Sequence, residues 1–272
     1  MRHFPLAIVV SAQPASFEAA TFKGDVRENL AYVARLGYDG AELAIRDPRE
    51  IDVDRLARWV EKWGLRVPAI GTGQAWGEEG LSFTDPDPAV RQAAVERVIA
   101  HIPVARRFDA VIIIGLLRGV IRPGVSRKQA MGWLVEALQT CANAAAPHRV
   151  RLALEPINRY ETSLINTVDE GLALIREVDA PNLGLLLDTF HMNIEEPSIE
   201  ESIRRAGPHI FHFHVADSNR RYPGAGHLDF PRILSVLAET GYDGFLSGEF
   251  LPYPDAATAA QRAIEYLRKI SG

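Results

Sequence analysis

Residues 110–117 read Ala110-Val111-Ile112-Ile113-Ile114-Gly115-Leu116-Leu117, and residues 183–189 read Leu183-Gly184-Leu185-Leu186-Leu187-Asp188-Thr189. Neither stretch alternates apolar with polar, as a strand with one wet face would. Continuously apolar strands belong to parallel sheets that are covered on both faces. Six further strand-like runs are Leu6–Ser11, Gly40–Ile45, Val67–Thr72, Val150–Ile157, Ile210–Ala216 and Gly244–Phe250. Amphipathic patterns with helical period separate them: Asp25–Leu36, Asp52–Trp63, Pro88–Arg107, Arg127–Ala146, Val168–Val178, Ser198–Ala206, Pro231–Thr240 and Asp255–Ile270. Asp52, Thr167 and Ser198 stand where helices should begin, and Gly37, Gly64 and Gly241 where they should end. Eight strands in alternation with eight helices predict an α/β fold, a single (β/α)8 (TIM) barrel domain over residues 1–272. A doubly wound open sheet is disfavoured, because Ser11-Ala12-Gln13-Pro14 stands where a Gly-x-Gly-x-x-Gly turn would follow the first strand.

The 272 residues suit one barrel of about 250 residues, and hydrophobic residues at 47% supply its core. Thirty basic against 35 acidic side chains leave a net charge of −5, which argues against a nucleic-acid surface. No apolar run approaches the roughly 18 residues of a membrane span. Cys141 is the only cysteine, so no internal disulfide forms and a cytoplasmic location is expected. Arg2 and His3 before Phe4–Val10, followed by Ser11-Ala12-Gln13-Pro14-Ala15, imitate a secretory leader. That reading is rejected because Leu6–Ser11 also serves as the first strand.

In such barrels chemistry collects at the C-terminal ends of the strands. Strand five ends in Glu155 and strand six in Asp188, with His191 three residues on. Strand seven carries His212 and His214, followed by Asp217, Asn219 and Arg220, and strand eight ends in Glu249. Ionised groups at the ends of buried strands are costly unless paired or bound to a metal. Three carboxylates and an imidazole make a divalent site of hard-to-borderline character, Mn²⁺ first, with Mg²⁺ or Co²⁺ as alternatives. His212 and His214, two apart, point to the same side, with His212 one layer deeper as a packing or supporting residue.

The second half of the chain resembles the D-tagatose 3-epimerase family of sugar isomerases and epimerases, within the xylose-isomerase-like barrels. The resemblance rests on Glu155-Pro156-x-Asn158-Arg159-x-Glu161, Asp188-x-x-His191-Met192, His212-x-His214, Asn219-Arg220 and Glu249. It implies that Glu155, Asp188, His214 and Glu249, spaced by 33, 26 and 35 residues, hold the metal. It further implies that Glu161, His191 and Arg220 hold the substrate, and that the chain forms dimers or tetramers. Ala20-Thr21-Phe22-Lys23-Gly24-Asp25, Ile45-Arg46-Asp47-Pro48, Ala69–Ala75, Asn158-Arg159-Tyr160-Glu161-Thr162 and Thr189–Glu196 look like the 5-keto-L-gluconate epimerase branch, which implies interconversion of that keto sugar acid with D-tagaturonate.

Inverting a carbon beside a ketone requires a proton to leave one face and another to return to the opposite face, hence two bases. Glu155 and Glu249, on strands five and eight, are expected to exchange acid and base roles while a divalent ion stabilises a cis-enediolate. Arg220 is read as a partner of a substrate hydroxyl or carboxylate, with an exposed loop cation beside Arg221 as the plainer alternative. Glu161 orients either the substrate or Arg159. Trp59 and Trp63 read as core, Trp76 as core or as a cover over the sugar, and Tyr222–His227 as a flexible loop or lid. An endonuclease IV-like nuclease would need histidines at the ends of strands three and four, where Gly71–Gln74 and Ile114–Leu117 supply none. An aldose–ketose isomerase shares the metal and the enediolate, and a sugar-binding protein would lack one of the two glutamates.

Overall fold

A computed structural model describes residues 3–271; Met1, Arg2 of the leader-like stretch, and Gly272 lie outside the described residues. The elements in chain order are β1 (Leu6–Ser11), α1 (Val26–Arg35), β2 (Gly40–Ala44), α2 (Val53–Lys62), β3 (Ala69–Gly71), α3 (Gln74–Glu79), α4 (Pro88–Phe108), β4 (Val111–Ile114) and α5 (Arg127–Ala145). They continue with β5 (Leu152–Leu154), α6 (Val168–Val178), β6 (Leu183–Asp188), α7 (Thr189–Glu195), α8 (Ile199–Ala206), β7 (Ile210–Val215), α9 (Phe230–Glu239), β8 (Leu246–Gly248) and α10 (Ala256–Ser271). Every strand pairs in parallel with its sequence neighbour, and β1 pairs with β8, so the sheet closes into a (β/α)8 barrel.

Pleating explains why Glu155 and Asp188 face the barrel interior. Ala69, Val111, Ile113, Ala153 and Leu186 form a small inner cluster, while the larger core lies between the strands and the helices. Successive side chains on a strand alternate faces, so Glu155 and Asp188, two residues beyond Ala153 and Leu186, inherit their inward direction. Asp52, Ser198 and Thr167 cap their helices through side-chain bonds to Arg55 N, Glu201 N and Glu170 N. Gly37, Gly64 and Gly241 follow their helices with positive φ, a conformation glycine adopts without a Cβ clash.

Three differences from the sequence reading matter. Strands three, four, five and eight are shorter than their apolar runs: Ala110–Leu117 keeps β-structure only over Val111–Ile114, then turns at Gly115 into a 3₁₀ segment at Leu116–Arg118. Two helices fall where loops were expected. Both α3 and α7 sit between a strand and its covering helix at the mouth, and α7 starts directly from Asp188, whose carboxylate caps it at Phe190 N, 2.7 Å away. Finally, the stretch Tyr222–His227 is tied down rather than loose. The buried Asp217 carboxylate accepts from Gly224 N at 2.8 Å and Leu228 N at 3.2 Å, and Ser218 Oγ lies 2.9 Å from His227 Nδ1.

Candidate active site at the barrel mouth

The closed barrel brings Glu155, Asp188, His214 and Glu249 together at its C-terminal end, with one donor atom of each within 4.8 Å of all the others. Asp188 and His214 are register partners on β6 and β7, after a register shift between Leu185 and Leu186. His214 Nδ1 stands 3.7 Å from Asp188 Oδ2, 3.8 Å from Glu249 Oε2 and 3.9 Å from Glu155 Oε1. These separations are too long for hydrogen bonds. His214 Nδ1 and Glu155 Oε1 are both buried without a hydrogen-bond partner, which buried polar atoms seldom tolerate.

The electrostatics of the cluster show the same deficit of positive charge. Burial, then the neighbouring Glu249, drives the Glu155 carboxyl well above its ordinary range. Burial likewise pushes Glu249 up to about 7, against the pull of His214 and Arg220. Burial disfavours a charged His214, yet Glu42 and Glu249 outweigh it and raise the ring's pKa. A divalent cation among these donors would satisfy both orphaned atoms and offset the carboxylate repulsion, so the donor set fits such an ion.

Behind the cluster lies Glu42, a residue the sequence reading did not single out. It sits mid-strand on β2, fully buried, and its Oε2 lies 2.8 Å from His212 Nε2 and 3.0 Å from His214 Nε2. The imidazoles outweigh burial and hold the Glu42 carboxyl far below its usual range. Its carboxylate accepts the Nε2–H of His214, which leaves Nδ1 as the nitrogen that faces the carboxylate cluster. His212 is thus a supporting residue one layer down. Glu42 was hidden in the sequence because Ala41-Glu42-Leu43 looks like an ordinary strand with one polar residue; only its position opposite β7, across the barrel, reveals a partner.

The three residues expected to hold substrate line one cavity of about 250 Å³ with Glu155 and Glu249. His191, buried, turns Nε2 toward Glu155 Oε1 at 3.7 Å. Burial lowers its pKa to about 4, leaving a neutral ring. Arg220 is no exposed loop cation: its Nη1 donates to Glu161 Oε1 at 2.9 Å, Nη2 lies 3.9 Å from Glu249 Oε2, and its guanidinium sits 5.0 Å from the centre of the Phe190 ring. Glu161 therefore serves Arg220 rather than Arg159, which pairs with Glu195 at 2.7 Å. The far wall is apolar, with Phe17, Trp76, Ile113 and Leu116, and Gly71–Gln74 bring no histidine to it. Trp76, from α3, thus lines the cavity, whereas Trp59 and Trp63 pack on the outer core.

A second buried group missing from the sequence reading is Arg118. Its guanidinium donates to the backbone carbonyls of Glu155, Leu164 (3.0 Å) and Ile165 (3.3 Å), pinning the loop that carries Glu155 and Glu161. Burial brings its pKa down to about 10, still cationic at neutral pH. Nothing in Leu116-Leu117-Arg118-Gly119 distinguishes it from a surface arginine. Its fully buried position does.

Comparison with known proteins places this geometry in a lineage. The xylose isomerase-like TIM barrel family matches residues 30–270. The L-ribulose 3-epimerase of Methylomonas sp. (strain DH-1) is 34% identical over 226 residues, covering 82% of this chain and 77% of that protein. The D-psicose 3-epimerase of Ruminiclostridium cellulolyticum is 32% identical over 230 residues, covering 82% of this chain and 77% of that protein. Among solved structures, a D-psicose 3-epimerase with D-tagatose from Clostridium cellulolyticum H10 superposes with a TM-score of 0.83 at 26% identity, over 98% of this chain and 99% of that one. With its closed parallel barrel and its match across most of the chain, this protein belongs to the xylose isomerase-like TIM barrel family, in the company of ketose 3-epimerases.

Proposed function

We propose that the chain is a divalent-metal-dependent ketose 3-epimerase that inverts the carbon next to the ketone. The observation that carries this reading is the pair of glutamates, Glu155 buried and Glu249 half-buried, whose oxygens meet in one cluster from strands five and eight. In this scheme Glu155, Asp188, His214 and Glu249 hold the ion, Mn²⁺ by preference. When bound, the ion supplies positive charge against the oxygen-centred charge that builds up as the carbon acid ionises.

The residues do the rest. The ionised glutamate takes the proton from carbon three; that C–H pair becomes a C2–C3 double bond while the carbonyl π pair moves onto O2. The other glutamate, protonated, returns its proton to the opposite face of carbon three as the carbonyl re-forms from the cis-enediolate. The two glutamates finish with their roles exchanged. Two carboxyls from strands five and eight supply the base and the acid that the two halves of this exchange need. His191 donates to a substrate oxygen, while Glu161 and Arg220 position the chain's end. The apolar wall of Trp76 and Phe17 excludes water from the reacting carbon.

The finer reading, carried by the resemblance in residues 20–25, 45–48, 69–75, 158–162 and 189–196, is that 5-keto-L-gluconate and D-tagaturonate are the physiological pair. The test is metal-dependent deuterium incorporation followed by NMR. Mn²⁺-activated protein, moved into Mg²⁺, is incubated in D₂O with those two acids, D-tagatose and D-fructose. Deuterium at the carbon beside the ketone, with the inverted sugar formed, is expected. Exchange at a terminal carbon with an aldose product would make the protein an aldose–ketose isomerase, and no exchange with any of the sugars would overturn the enzymatic reading for this substrate class.

A further inference from the structure

The loop after β5 holds a side chain that touches both substrate-facing groups without itself lining the cavity. Asn158, buried, places Nδ2 2.8 Å from Glu161 Oε1 and 2.8 Å from His191 Nδ1. The orientation of its amide is fixed independently, because Tyr160 N–H donates to Asn158 Oδ1 at 3.0 Å. An amide oxygen that accepts from the backbone leaves the NH₂ group to face the other two partners. That group has two hydrogens and finds two acceptors, one a carboxylate oxygen and the other an imidazole nitrogen. His191 Nδ1 must therefore be bare, and the ring's single proton must sit on Nε2, the nitrogen that faces Glu155 and the cavity.

We propose that Asn158 is a positioning residue that fixes the polarity of the substrate end of the site, locking His191 in its Nε2–H tautomer as a hydrogen-bond donor and holding Glu161 beside it as an acceptor. Glu161 Oε1 already receives both Asn158 and Arg220, so Oε2 is the oxygen left for ligand among the described residues. One donor and one acceptor held side by side match a carbonyl oxygen next to a hydroxyl, the hydroxyketone end of a ketose. The alternative tautomer would present two acceptors and repel a carbonyl. The mechanistic meaning of this lock rests on the epimerase reading above; the lock itself does not.

The test reads the tautomer directly, without substrate. Long-range ¹H–¹⁵N spectra of metal-loaded (Mg²⁺) protein at neutral pH identify His191 by comparison with His191→Gln. The expected wild-type pattern is a protonated Nε2 and a bare Nδ1. In Asn158→Asp, which puts an acceptor opposite Nδ1, the proton should move to Nδ1; in Asn158→Leu the preference should be lost. Turnover in both variants should drop roughly 10- to 100-fold, mainly in kcat, while metal affinity stays within about twofold. A wild-type ring protonated on Nδ1, or a ring that keeps its Nε2–H pattern in both variants, overturns the proposal. A tautomer that shifts as expected in a protein that epimerises no ketose upholds the role of Asn158 and overturns the epimerase reading instead.

Discussion

Strands β5 to β8 lead into Glu155, Asp188, His214 and Glu249, whereas β1 to β4 end in Ser11, Ala44, Gly71 and Ile114. One half of the mouth thus concentrates charge that is costly to bury, and the other offers small or apolar groups around Phe17, Trp76 and Leu116. The barrel forces the two into one cavity, so reacting atoms meet preorganised charge on one side and a dry wall on the other. Glu42 crosses this division from β2 to support the histidines of β7, and Arg118 crosses it from the segment after β4 to hold the Glu155 carbonyl. The lesson is that the charged half sets what reaction is possible and the apolar half sets what shape of substrate reaches it.

The largest expected effect tests the charged half alone. Glu249→Gln should lower kcat/KM by roughly 10³-fold, because one of two proton-transferring groups is gone; normal turnover with metal bound would end the two-glutamate scheme. Glu42→Gln comes next. It removes the charge that holds two imidazoles, and divalent-ion affinity by calorimetry should weaken roughly 10- to 100-fold. Unchanged affinity would mean that support from the other half is unimportant.

Gly115→Ala probes the seam between the halves. A Cβ there would stand 3.0 Å from Glu155 Oε2, so the glutamate must shift, and kcat should fall by about tenfold with the fold intact. Trp76→Ala, on the apolar wall, should raise KM by roughly fivefold and leave kcat almost unchanged; a loss confined to kcat would move Trp76 to the chemical side of the comparison. The smallest effect concerns stability. Asp47, at the mouth after β2, is held at about pKa 2 chiefly by its bonds to Arg49, with Arg97 also 3.1 Å away. A carboxyl depressed in the folded state stabilises it above the unfolded value near 4 and loses that contribution as pH falls toward 2. Asp47→Asn should therefore melt about 2–4 °C lower at pH 7, with the gap closing as the pH drops from about 4 to 2 in thermal scans.

The barrel and its four converging donors were legible because both are written in local pattern. Unbroken apolar runs such as Val111–Ile114 need cover on both faces, and a carboxylate two residues beyond an inward-facing Ala153 or Leu186 must face inward as well. Periodicity along one strand is a property of the chain itself. The roles of Glu42, Arg118 and Asn158 were not legible in the same way. Glu42 meets His212 across 170 positions of sequence and Arg118 meets the Glu155 carbonyl across 37, and no local pattern specifies a partner at such separations. Even Asn158, quoted within its motif, acquired a role only when His191 was placed 2.8 Å away. The order of strands and the direction of their side chains were decided by the sequence; which buried polar group satisfies which, and so which nitrogen carries a proton, was decided only by closing the barrel, because hydrogen bonds depend on distances of tenths of an ångström that chain order does not encode.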